Sequence, residues 1–101
     1  MSDTIYHITP ASWWNNFSSL DFYESPTLKE EGFIHCSKKE QVAGVLGRYY
    51  ANEKNLLLLQ IDSRLLTVAL KFEVATNNES FPHVFGAINK NAIVSVDSIG
   101  E

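Results

Sequence analysis

The side chains best suited to proton transfer near neutral pH are three histidines: His7 in "IYHIT", His35 in "FIHCS" and His83 in "FPHVF". Each stands among β-branched or aromatic neighbours. A histidine in such a setting is most often a hydrogen-bonded structural residue, but three of them make a common site worth weighing. Together they could act as acid, base or phosphate ligands. A three-histidine metal site is the weaker alternative. Zinc sites usually contain a ligand pair a few residues apart, and no two of these histidines fall so close.

The neighbours divide into chemistry and packing. Cys36 is the only cysteine, and strand alternation points it away from His35, so it reads as a core filler and not as a nucleophile. The same alternation places Phe33, His35 and Ser37 on one face. Ser37 stands where a helix should begin, and a helix N-terminus attracts anions, so a phosphate or carboxylate beside His35 is physically reasonable. Glu73 shares the polar face of "ALKFEV" with Lys71. It is either solvated or a carboxylate facing a cleft. In "FPHVFG", Phe81 and Phe85 flank His83; they offer a flat ring a stacking surface, though core packing explains them as well.

These residues need elements to position them. "TIYHI" reads as a first strand, with Ile5 and His7 on one face and Tyr6 and Ile8 on the other. Thr9-Pro10 should open a helix whose apolar side is Trp13, Trp14 and Phe17. Because the tryptophans are adjacent, one is expected to be exposed. Ser25-Pro26 opens a turn that Gly32 closes. After the strand "FIHC", Ser37 and Glu40 have the spacing of a capping box for a helix over roughly 38–51, buried through Val42, Val45, Leu46, Tyr49 and Tyr50. "LLLLQI" is apolar on both faces, as a central strand should be. In "ALKFEV" the core face is expected to be Leu70, Phe72 and Val74. "HVFG", with Pro82 at its start, and "AIVSVDSI" complete five or six strands. Two main helices and strands out of strict alternation predict an α+β fold.

The 101 residues suggest a single domain over 1–101, and 45% hydrophobic content is ordinary for a globular chain. A net charge of −4 argues against bulk nucleic-acid binding. No apolar run approaches the ~20 residues of a membrane helix. Without an export signal at "MSDTIYHI", a cytoplasmic location is expected. Oligomeric state is not legible.

"IYHIT", "EEGFIHCSKKEQV", "LLLLQID" and "FPHVFG", in that order, resemble a family of small, mostly bacterial proteins of unknown function that is grouped by fold with the ADP-ribosyltransferase-like proteins. The resemblance spans nearly the whole chain. It implies a split, mainly antiparallel sheet around a cleft of nicotinamide-dinucleotide size, with NAD or ADP-ribose as the expected ligand class. His7 matches the histidine that holds the cofactor's ribose, and Thr9 stands with it as a ligand contact. The nicotinamide-stacking tyrosine of the wider group falls at Ile34 or His35, so that motif departs. Its late glutamate has no clear match; His83 lies at a similar place, and Glu73 is the nearest upstream strand carboxylate. What the resemblance implies is a nucleotide-like ligand in a histidine-lined cleft, with either a transferase or a non-catalytic binding module as the outcome.

Overall fold

The computed structural model describes residues 3–99. In chain order the elements are β1 (Thr4–Pro10), α1 (Ala11–Trp14), β2 (Phe22–Tyr23), α2 (Leu28–Glu31), β3 (Ile34–His35), α3 (Val42–Tyr49), β4 (Leu56–Asp62), β5 (Ala69–Val74), β6 (Ser80–Phe85), β7 (Ile88–Asn89) and β8 (Ile93–Ile99). All strand pairs are antiparallel, in three groups: β1-β4-β8, β2-β7 and β3-β6-β5. The architecture is α+β with few and short helices. "LLLLQI" forms β4, the central strand of its sheet, because it has apolar surface to bury on both faces.

The first and third groups meet at one point. Tyr6 and Ser37 exchange backbone hydrogen bonds of 2.8 and 2.7 Å, and the strands diverge from there. The bridge fixes the facing: Tyr6 and Ser37 lie on one side, His7 and Cys36 on the other. The Cys36 side is the core, where Ile5, Ile34, Leu59, Ile61 and Val84 pack around the fully buried Tyr23. The other side carries His35, opposite His83 on β6, which is in turn opposite Lys71 on β5; Phe81 is opposite Glu73.

Several expectations are corrected. Thr9 does not cap a helix; it is a buried strand residue, and Pro10 ends β1 in register with Leu56. Neither tryptophan is left exposed. Trp13 donates to the Glu24 carbonyl at 2.7 Å and Trp14 packs on Tyr23, so both sides of the short α1 are covered. In place of two main helices there is one of eight residues, α3, and two of a single turn. Only one half of a capping box forms, and it belongs to Lys38 and Gln41: the Lys38 amide donates to Gln41 Oε1 at 2.9 Å, the Gln41 amide donates to the Lys38 carbonyl at 2.9 Å, and a 3-10 turn over Lys39–Gln41 precedes α3. Ser37 cannot cap because its backbone is held in the bridge to Tyr6.

Tyr49 is exposed, since α3 ends there and turns its last residues toward solvent. Pro82 lies inside β6 and not at its start. Its carbonyl accepts from Cys36 at 3.0 Å, so its missing amide falls on the side where β3 has already ended. On β5 the faces are less buried than alternation suggests. Phe72 and Val74 are 54% and 69% exposed, because β5 is an edge strand that runs past the core. The pair β2-β7 is too short to read from periodicity.

Gly32 closes α2 in the left-handed conformation, at φ 83°, as its place after "LKEE" suggests.

Candidate functional site

β1 carries His7 into the gap where the sheet divides. The imidazole lies where the β1–β3 ladder would have continued, and its Nδ1–H donates to the His35 carbonyl at 2.7 Å. Its Nε2 accepts from the Tyr23 hydroxyl at 2.8 Å. Both nitrogens are thus committed, and the tautomer follows from the carbonyl, which can only accept. His7 is almost fully buried, and burial holds its pKa down to about 4, so it is neutral at physiological pH. Burial likewise raises the Tyr23 phenol above its ordinary range, with Tyr50 contributing, while a hydrogen bond with Thr9 opposes the shift.

His83 sits on the opposite face. It is 5% exposed, its ring stacks on Phe33 with centroids 4.1 Å apart, and its Nδ1–H donates to Glu73 at 2.7 Å. Its Nε2 is buried and has no protein partner. His35 approaches the same ring edge-on, at 5.4 Å between centroids, and its Nε2–H donates to Glu31 at 2.5 Å. Two imidazoles therefore lie side by side, each oriented by a carboxylate. This resembles the way a base is held by a third group in nucleophile–base–carboxylate sites. Phe33 wedges against both, and Phe85 packs behind it at 5.4 Å. The Lys71 ammonium lies over the Phe85 ring.

A cavity of about 480 Å³ opens along the split, a size in the range of small-ligand sites. All three histidines line it. So do Thr9, Ser37 and Phe81, and from the far side Val45, Tyr49, Tyr50 and Glu53. Burial and the nearby Glu53 raise the pKa of Tyr50. Cys36 reaches the wall but belongs to the core, and burial pushes its thiol up, away from nucleophile chemistry.

Of the residues expected to form a site, His7, Thr9, His35, Ser37, Phe81 and His83 are brought to this one cavity. Glu73 lies outside the lining and reaches it through His83. Phe33 and Phe85 stand behind the histidines as a stacked support. The three histidines do not form a metal centre: His7 has no free nitrogen, and among the described residues no group of three His, Cys, Asp or Glu is placed to hold a metal ion. Sequence reasoning missed Tyr23, Glu31, Tyr50 and Glu53. Glu31 had a signal, because it precedes His35 by four residues across the Gly32 turn. Tyr23 had none.

No helix among the described residues is long and apolar enough to cross a membrane. Fold and site together define a small α+β protein with a split antiparallel arrangement and a histidine-lined cleft. Residues 8–96 match a family of proteins of unknown function, DUF952, and the chain belongs to that family. The crystal structure of protein CC0527 from Caulobacter crescentus is similar, with a TM-score of 0.87 and 24% identity over 96% of this chain and 86% of that one. The solution structure of CC0527 superposes with a TM-score of 0.81, at 24% identity over 96% and 84% of the two chains. These likenesses establish the fold. No curated protein matches the chain.

Proposed function

We propose that the cavity binds a small nucleotide-like ligand of the ADP-ribose and NAD class, and that His35 and His83 meet its polar groups. The observation that carries this reading is His83 Nε2. A buried, unpartnered nitrogen costs about 1–3 kcal/mol, and such groups in native proteins call for an explanation. Glu73 on Nδ1 leaves Nε2 as an acceptor, suited to a ligand hydroxyl. His35, bonded to Glu31 through Nε2, keeps Nδ1 for the same ligand. The aromatic surface of Phe81 and Tyr50 suits a flat ring. The resemblance to ADP-ribosyltransferase-like proteins supports the ligand class.

If group transfer occurs, His83 accepts the proton of the attacking hydroxyl while the new bond to the ribosyl or phosphoryl centre forms. In ribosyl transfer from NAD the departing pyridine ring leaves through its nitrogen and needs no proton; in phosphoryl transfer His35, entering as the imidazolium with Nε2–H on Glu31, gives its Nδ1 proton to the departing oxygen as the old bond breaks. The second reading is a binding module without turnover. The cavity lining favours it, because among the described residues there it holds no lysine or arginine to stabilise the charge of a departing group.

Calorimetric titration with ADP-ribose, NAD and AMP tests the binding, and mass spectrometry of the mixtures tests turnover. Binding with His83→Ala and His35→Ala each at least tenfold weaker is the expected result. The absence of heat with all three ligands at millimolar concentration would overturn the reading.

A further inference from the structure

β5 leaves one edge without a strand partner among the described residues, since β6 pairs with its other edge. The ladder fixes which backbone groups face that open edge. The Cys36 amide donates to the Pro82 carbonyl, so Pro82 and Val84 turn their backbone groups toward β3, and Phe81, His83 and Phe85 turn theirs toward β5. Their partners Glu73, Lys71 and Ala69 are therefore bonded within the sheet. The Ala75 amide, which donates to the Glu79 carbonyl at 2.8 Å, continues that alternation. The amides and carbonyls of Leu70, Phe72 and Val74 point outward instead. Such a row is a template for another strand. The side chains add to it: Phe72 and Val74 are exposed on one face, and Lys71 and Glu73 on the other, beside His83.

A lysine in mid-edge ordinarily blunts such pairing, but here a glutamate stands two residues on. We propose that β5 is the interface for a second copy of this chain, paired antiparallel about Phe72. In that register Leu70, Phe72 and Val74 of one copy exchange backbone hydrogen bonds with Val74, Phe72 and Leu70 of the other. Lys71 of each copy stands opposite Glu73 of the other, in the non-hydrogen-bonded positions where side chains come closest. Neighbouring registers fail on charge: centring on Lys71 sets lysine against lysine, and centring on Glu73 sets glutamate against glutamate. The pairing lays Phe72 on Phe72 and Leu70 on Val74, covering the two apolar side chains that the edge leaves bare within one copy, Phe72 and Val74. It also reaches the cavity. Glu73 Oε1 accepts from His83 Nδ1, which leaves Oε2 for the incoming lysine, so the second copy steadies the carboxylate that orients His83.

Sedimentation velocity of the full chain from about 20 µM to about 1 mM tests it, with amide NMR to place the contact. A single strand pair is a small interface, so a dimer with a Kd of roughly 0.1 mM is expected, with amide shifts centred on 70–74. Lys71→Glu and Glu73→Lys should each weaken it at least about fivefold, because both cross-strand pairs become like-charged. An equimolar mixture of the two variants restores opposite charges at both positions and should associate about as tightly as the wild type. Phe72→Thr, which removes the apolar contact and no charge, should weaken the dimer as well, and it serves if Glu73→Lys disturbs His83 or the fold. The proposal is overturned if the chain is monomeric at about 1 mM, if either Lys71→Glu or Phe72→Thr dimerises like the wild type, or if the mixture of folded variants associates no better than each alone.

Discussion

The buried His7 makes the stability of the protein depend on pH in a specific direction. Its folded pKa of about 4 lies below the ordinary imidazole value of 6.5, because burial penalises the charged ring more than the His35 carbonyl supports it. The unfolded chain therefore binds more protons between these values. Stability is full above about pH 6.5 and is lost as the pH falls toward 4. Between pH 7.5 and pH 4.5 the loss from this one group is about 2.5 kcal/mol, taking 1.36 kcal/mol per pK unit and the incomplete titration at pH 4.5. For a domain of this size that corresponds to roughly 10–20 °C in melting temperature.

Urea unfolding followed by tryptophan fluorescence measures it, and the His7→Gln variant isolates it. The variant is less stable at neutral pH, but its stability should fall by about 2.5 kcal/mol less than the wild type over the same pH interval. A second measurement needs no variant: the imidazole resonances of His7 should not titrate above about pH 5. A His7 ring that titrates near pH 6.5, or a variant with the same pH slope as the wild type, would refute the claim that His7 is a neutral strut between His35 and Tyr23.

His83→Phe removes the unpartnered nitrogen and keeps the stack on Phe33. It should leave stability unchanged or raise it by about 1 kcal/mol while abolishing ligand binding; a loss above about 2 kcal/mol in urea titration would mean that the imidazole is a structural hydrogen-bonding group. Gly86 has φ 152°, and a Cβ there would meet Val68 Cγ1 at 2.7 Å, so Gly86→Ala should cost about 2 kcal/mol by thermal unfolding, whereas a neutral result would show that Val68 can move aside. Phe72 projects from an edge strand, and Phe72→Thr should change stability by less than about 0.5 kcal/mol; a loss of a core-like 3 kcal/mol would restore it to the core.

Much of the fold was legible because local patterns agreed with it. β1, the doubly apolar β4, the Gly32 turn and the packing role of Cys36 all follow from alternation and turn chemistry. The misplaced cap was a close competition. Ser37-Glu40 and Lys38-Gln41 offer the same spacing, one residue apart. The longer-range pairing of Ser37 with Tyr6 decided for the second. Phe72 and Val74 alternate as core residues do, yet the pattern cannot report that the strand lies at an edge.

The candidate site divides the same way. Residue type marked His7, His35 and His83, and alternation separated Cys36 from His35. What the linear order could not supply was the division of the sheet after Tyr6–Ser37. That division lets His7 reach across to the His35 carbonyl and commits both of its nitrogens. It brings β6 beside β3, so that His83 and His35 lie 5.4 Å apart with a carboxylate each. It also leaves one imidazole nitrogen buried without a partner. Chemistry was written in the residue types, which the sequence states directly. Which histidine is a strut and which faces the ligand depends on strand pairing between distant segments, and only the tertiary structure decides that.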